Sequence, residues 1–70
     1  MASEAPIRFL RRQAVQDRTG LGKSLLYKLM ASGDFPQPVR LSPGSVGWVE
    51  ADVDAWQRQR IAASTRRSAA

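Results

Sequence analysis

Lys23, Ser24, Tyr27 and Lys28 lie close together in the stretch Arg18-Thr19-Gly20-Leu21-Gly22-Lys23-Ser24-Leu25-Leu26-Tyr27-Lys28-Leu29-Met30, which holds no carboxylate. Two ammonium groups, a hydroxyl and a phenol make a set of hydrogen-bond donors with no acid among them, which suits an anionic partner. Two other chemistries must be weighed against that one. Gly22-Lys23-Ser24 has the ending of a phosphate-binding loop, G-x-x-x-x-G-K-[ST], but the first glycine of that pattern would fall on Asp17. No continuous apolar strand leads into it, and so short a chain cannot build a nucleotide-binding α/β domain. Glu50 and Asp54 stand four residues apart like a catalytic carboxylate pair, yet acids at the start of a helix are explained by its macrodipole without any chemistry.

Composition narrows the field in the same direction. The 70 residues include 11 Lys and Arg against 6 Asp and Glu, for a net charge of +5, with no histidine and no cysteine. A zinc ribbon, a disulfide framework, a thiol nucleophile and a histidine base are thereby excluded, and no cofactor or metal is expected. One small domain of this size buries only about 60% of its unfolded surface, so its core must be thin. No uninterrupted apolar run exceeds three residues, so no segment is expected to cross a membrane. Nothing resembles a signal peptide, and the expected location is the cytoplasm, on the nucleoid when bound to DNA.

These residues need elements to hold them. Leu25, Leu26, Leu29 and Met30 form one stripe at helical spacing, and Ser24, Tyr27, Lys28 and Ala31 lie opposite. A helix over about 23–32 is therefore predicted, with Gly22 at its N-cap and Gly33 in the left-handed position after it. Thr19-Gly20-Leu21-Gly22 reads as a tight turn, and residues 12–18 as a short first helix packing Ala14 and Val15. Short helix, glycine turn and basic amphipathic helix make a helix-turn-helix, whose second helix presents its N-terminal residues to a major groove. Tyr27 reads either as a DNA contact or as a half-buried ring at the core edge. Arg11 and Arg12 read either as a solvated face or as phosphate contacts.

Further along, Asp34-Phe35-Pro36-Gln37-Pro38 cannot be helical, and Phe35 reads as a core plug or a recognition aromatic. Val39-Arg40-Leu41 and Val46-Gly47-Trp48-Val49 flank Ser42-Pro43-Gly44-Ser45, which has the proline and glycine of a type II turn. The result is a hairpin over 39–49 with one inward face drawn from Val39, Leu41, Val46 or Trp48. Attached to a helix-turn-helix, such a hairpin is a wing. Ile7 to Leu10 reads as an extended lead-in. A third helix begins at Glu50 and closes the core with Val53 and Trp56. The expected organisation is a loose arm over 1–6, a domain over 7–62, and a basic disordered tail over 63–70. The fold class is mainly α with a small β-hairpin, a winged helix-turn-helix.

With those residues in place, the chain resembles the AlpA-type regulators of phages and prophages. The resemblance rests on Arg18-Thr19-Gly20-Leu21, Leu26-Tyr27, Gly33-Asp34-Phe35-Pro36, Pro38-Val39-Arg40-Leu41 and Val46-Gly47-Trp48, followed by Val53 and Trp56. It implies a MerR-like or excisionase-like winged domain that binds double-stranded DNA without a cofactor. On this reading Lys23, Ser24, Tyr27 and Lys28 contact bases or backbone, Thr19 contacts phosphate from the turn, and Arg40, Ser42 and Ser45 hold the wing on the flanking backbone. The leading function is a sequence-specific transcriptional regulator, not an enzyme. A second is an excisionase-like factor that bends DNA beside an integrase. A third is a basic protein-interaction adaptor that meets an acidic partner such as a polymerase subunit and leaves DNA alone. Because one short helix reads few base pairs, a second copy of the chain is a further expected partner.

Overall fold

A computed structural model describes residues 6–69, with side chains through Thr65. The arm expected over 1–6 lies outside these residues apart from Pro6, which is exposed. The elements run β1 (Phe9–Leu10), α1 (Arg12–Thr19), α2 (Lys23–Ala31), β2 (Val39–Ser42), β3 (Ser45–Val49) and α3 (Glu50–Ala69). This is the mainly helical winged helix-turn-helix that the sequence predicts.

Local chemistry sets the helix ends. Arg11 enters α1 in an extended conformation, and Gly20 ends it at φ 76°, donating its N–H to the Gln16 carbonyl at 2.8 Å. Past α2, Gly33 adopts φ 82° while its N–H reaches the Met30 carbonyl and that of Asp34 reaches Leu29. These paired bonds are a Schellman cap, and they satisfy carbonyls that the last turn leaves open.

Five segments each supply one buried side chain to the core: Val15 from α1, Leu26 from α2, Phe35 from the following loop, Trp48 from β3 and Val53 from α3. Burying each contributes about 1.5–3 kcal/mol. Leu10, Leu21, Leu29, Met30 and Trp56 pack around them. Phe35 is a core plug, edge-on to Trp56 at 4.8 Å between ring centres. The loop that carries it is held from both sides. Trp48 Nε1 donates to the Pro36 carbonyl at 3.0 Å, and Trp56 Nε1 donates to that of Asp34 at 2.6 Å.

The structure corrects or sharpens the sequence reading in four places. Leu25 is 46% exposed, so the inward stripe of α2 is Leu26, Leu29 and Met30. The core touches only a narrow arc of the helix, and Leu25 lies outside it. The lead-in is a true strand: β1 pairs antiparallel with β3, giving the sheet order β1-β3-β2. The inward face of the hairpin is narrower than expected, since of its four candidates only Trp48 is buried. Val39 opposes Gly47 and Arg40 opposes Val46, but Ser42 opposes Ser45, so the register slips around Leu41. Val39 therefore shares the outer face with Gly47 and Val49, and Trp48 shares the inner face with Leu10 and Val46. Val39, Leu41 and Val46 all remain about two-fifths exposed, and Leu41 folds over the outer side of Gly47. Finally, α3 continues to Ala69 rather than giving way to a tail at 63. No glycine or proline follows Gly47, and alanine and arginine favour propagation once a packed helix has nucleated.

Candidate nucleic-acid interface

The candidate site starts at the turn between α1 and α2. Gly22 caps α2 at φ −78°, ψ 165°, and its carbonyl accepts the Leu26 N–H at 2.9 Å, with no side chain capping the first turn. Lys23 and Ser24 occupy that turn, and both are exposed. Tyr27, 43% exposed, and Lys28 follow one turn later on the same side. Spacings of three and four residues put Ser24, Tyr27 and Lys28 in one row along the helix. Leu25, which the sequence reading placed inward, lies exposed beside them.

Thr19 is placed differently. Its Oγ1 donates to the Val15 carbonyl at 2.8 Å and accepts the Leu21 N–H at 3.3 Å. The hydroxyl proton is used inside the turn, so Thr19 stabilises the link between the helices and stands apart from the row on α2. Gln16 supports the same link by donating to the Leu21 carbonyl at 3.4 Å.

The wing tip is the Pro43-Gly44 turn, with Gly44 at φ 83° as a type II turn requires. Ser42 and Ser45 face each other across it, the first exposed and the second half-buried. Arg40 is exposed two residues back along β2 and shares its face with Val46. A cleft of about 330 Å³ joins the wing to the helices, lined by Arg11, Arg12 and Gln13 at the start of α1, Tyr27 on α2, and Gly44 and Val46 on the wing. The cleft brings Tyr27 alongside the wing and adds two arginines that sequence reasoning left as either solvated surface or phosphate contacts. No local pattern could have selected them, because the wing that completes the cleft is remote in sequence.

Some of the basic side chains are paired and others are not. Arg18 pairs with Glu50 at 3.1 Å and lies 3.7 Å from Asp54, and Arg58 pairs with Asp54 at 2.8 Å. The hydrogen bond from Arg58, together with the charges of Arg58 and Arg18, holds the Asp54 carboxyl below the ordinary carboxylate value against a smaller effect of burial. Arg60 stacks over Trp56 at 4.8 Å. Arg18, Arg58 and Arg60 are thus engaged with acids or a ring. Arg11, Arg12, Lys23, Lys28 and Arg40 have no ion-pair partner among the described residues. Among those residues no acidic, histidine or cysteine cluster is arranged to hold a metal, and no helix is long and apolar enough to cross a membrane.

The family model for the prophage CP4-57 regulatory protein (AlpA) matches residues 8–61. The chain is 41% identical over 59 residues to "Uncharacterized protein ORF88" of Enterobacteria phage P4, covering 84% of this chain and 67% of that one. It is 33% identical over 66 residues to the DNA-binding transcriptional activator AlpA of Escherichia coli (strain K12), covering 86% of this chain and 94% of the relative. No solved structure matches it. With the matched region running from just before β1 well into α3, this chain belongs to the AlpA family of prophage regulatory proteins.

Proposed function

We propose that the chain is a sequence-specific DNA-binding transcriptional regulator whose α2 lies in the major groove while the wing rests on the flanking backbone. One observation carries this reading. The row Ser24, Tyr27 and Lys28, with Lys23 at the helix start, is exposed, rich in donors and next to a wing with a free arginine. The relative named as a DNA-binding transcriptional activator supports the same class. In this arrangement Lys23 and Lys28 reach guanine acceptors or phosphates, and Ser24 and Tyr27 reach base edges or backbone oxygens. Arg40, Ser42 and Ser45 contact phosphate, which positions the domain without reading sequence. A nine-residue helix spans few base pairs, so useful selectivity calls for two or more copies on adjacent sites.

The test titrates Lys23→Ala, Ser24→Ala, Tyr27→Ala, Lys28→Ala and Arg40→Ala on an operator duplex and on a random duplex at several salt concentrations. At least one of the four helix variants should lower the ratio of specific to random binding by about 1–3 kcal/mol. Arg40→Ala should weaken both duplexes alike and reduce the salt slope by about one unit. If the helix variants leave the ratio untouched and Arg40→Ala collapses it, the wing is the reader and α2 is not.

A further inference from the structure

We infer that the cleft between the start of α1, Tyr27 and the wing seats the sugar–phosphate backbone of one DNA strand, with Arg11 and Arg12 as its phosphate ligands. The inference rests on the DNA-binding reading above and deepens it by assigning a site that neither α2 nor the wing tip provides alone.

The chemistry of the lining is the first argument. Two arginines and a tyrosine line the cleft together with Val46, which adds an apolar surface from the wing. Val46 is 42% exposed, so it has surface to offer, while Trp48, which also lines the cleft, is buried and already donates its indole N–H to the Pro36 carbonyl. A nucleic-acid backbone alternates anionic phosphates with apolar deoxyribose, and a cationic rim beside an apolar surface matches that alternation. Guanidinium groups suit phosphate in particular, because their planar donor fork can bind two oxygens at once.

The second argument is that these arginines have no other work among the described residues. Arg18, Arg58 and Arg60 are held by acids or by Trp56, whereas Arg11 and Arg12 are exposed and unpaired. Arg11 occupies the N-cap position of α1, yet its side chain makes no capping bond, so the helix does not hold its guanidinium. Gln13 is different, because its amide donates to Asp17 at 3.0 Å, and it is not assigned as a ligand. Position is the third argument. With Tyr27 on one side and Gly44 on the other, the cleft joins the two surfaces proposed to touch DNA. A strand leaving α2 for the wing tip passes between them. The cleft is also open to solvent and bordered by exposed side chains, which fits a polymer running through it better than an enclosed small molecule.

The test combines Arg11→Ala, Arg12→Ala and Arg12→Gln with operator duplexes carrying one neutral methylphosphonate at a time. The glutamine variant keeps helix propensity while removing the charge. Melting temperatures of all three should match the parent. Each variant should bind specific and random duplexes roughly ten-fold more weakly at low salt, the effect of losing one charge-assisted hydrogen bond. Its salt slope should fall by about 0.9. One methylphosphonate position should weaken the parent and Lys28→Ala fully but have a smaller effect on the Arg11 or Arg12 variants, which have already lost one of the two ligands. If these variants bind like the parent with an unchanged slope while Lys28→Ala weakens binding, the cleft assignment is overturned and the DNA-binding reading stands. If the parent protects no DNA in a footprint and binds only acidic peptides, both fall together.

Discussion

Arg18 and Gln57 hold each other in both directions. The Arg18 guanidinium donates to Gln57 Oε1 at 3.1 Å, and the Gln57 amide donates back to the backbone carbonyl of Arg18 at 2.9 Å. That carbonyl lies in the last turn of α1, where the helix itself offers no partner. The same guanidinium reaches Glu50, so one side chain ties α1 to two successive turns of α3.

Gln57→Ala should therefore cost about 1 kcal/mol, the net worth of a hydrogen bond whose carbonyl is left wanting. Both groups are partly exposed, which limits the ion-pair contribution of Arg18 to about 0–1 kcal/mol. The double variant Arg18→Ala/Gln57→Ala should lose less than the sum of the singles, since they share one tether. Urea midpoints for the cycle measure this, and strict additivity would mean the two side chains act independently.

Leu25 and Leu26 are neighbours in sequence with opposite environments. Leu26→Ala should destabilise the domain by about 2–5 kcal/mol, as should Trp48→Ala. Leu25→Ala should stay within about 0.5 kcal/mol of the parent, as substitutions outside the core do. Thermal melts of the three variants decide the matter; equal losses for the two leucines would restore the four-residue stripe.

Thr19→Val removes the hydroxyl that bridges Val15 and Leu21. It should lower stability by about 0.5–1.5 kcal/mol, the net worth of an internal hydrogen bond. DNA affinity of the folded fraction should be unchanged. A variant that melts like the parent but binds DNA several-fold more weakly would return Thr19 to the phosphate contacts.

Acid should weaken the domain through Asp54. A carboxyl held below its ordinary value stabilises the fold fully at neutral pH, and that contribution is lost as pH falls from the ordinary value through the lowered one. With no histidine in the chain, no side chain of ordinary pKa titrates between about pH 6 and 8, so the melting temperature should be flat there. Asp54→Asn should reduce the acid-side decline. A break near neutrality in a melting series would contradict this assignment.

Deleting residues 64–70 should leave melting nearly unchanged, because the side chains from Ile61 through Thr65 are exposed. Binding to DNA should weaken only at low salt, through the loss of Arg66 and Arg67. A large fall in melting temperature would show that the end of α3 is packed.

Local rules made much of this fold legible. The glycines at 20, 33 and 44 adopt the positive φ their turns required, and Leu26, Leu29 and Met30 kept the helical period that faces a core. Other features depend on contacts that no local window contains. Two residues of β1 are too few to show a strand period, and they become a strand only against β3. The irregularity around Leu41 disrupts an alternation that otherwise pointed to a buried face. Of the eight proposed contact residues, the row on α2 is readable from spacing, whereas the bonds that the Thr19 hydroxyl makes within its turn are not, because they form only when the turn has folded. Arg11 and Arg12 gain significance only when the wing folds back beside them.

The placement of the aromatic residues gives the protein an optical reporter of its own. Both tryptophans donate to carbonyls of the segment around Phe35, so indole emission reports on the seam where that segment meets β3 and α3. The single tyrosine stands exposed on α2, at the proposed contact surface. Opening of the seam can therefore be followed in an unlabelled sample through the indoles, and Trp48, which lines the cleft beside Tyr27, brings one of them close to that surface.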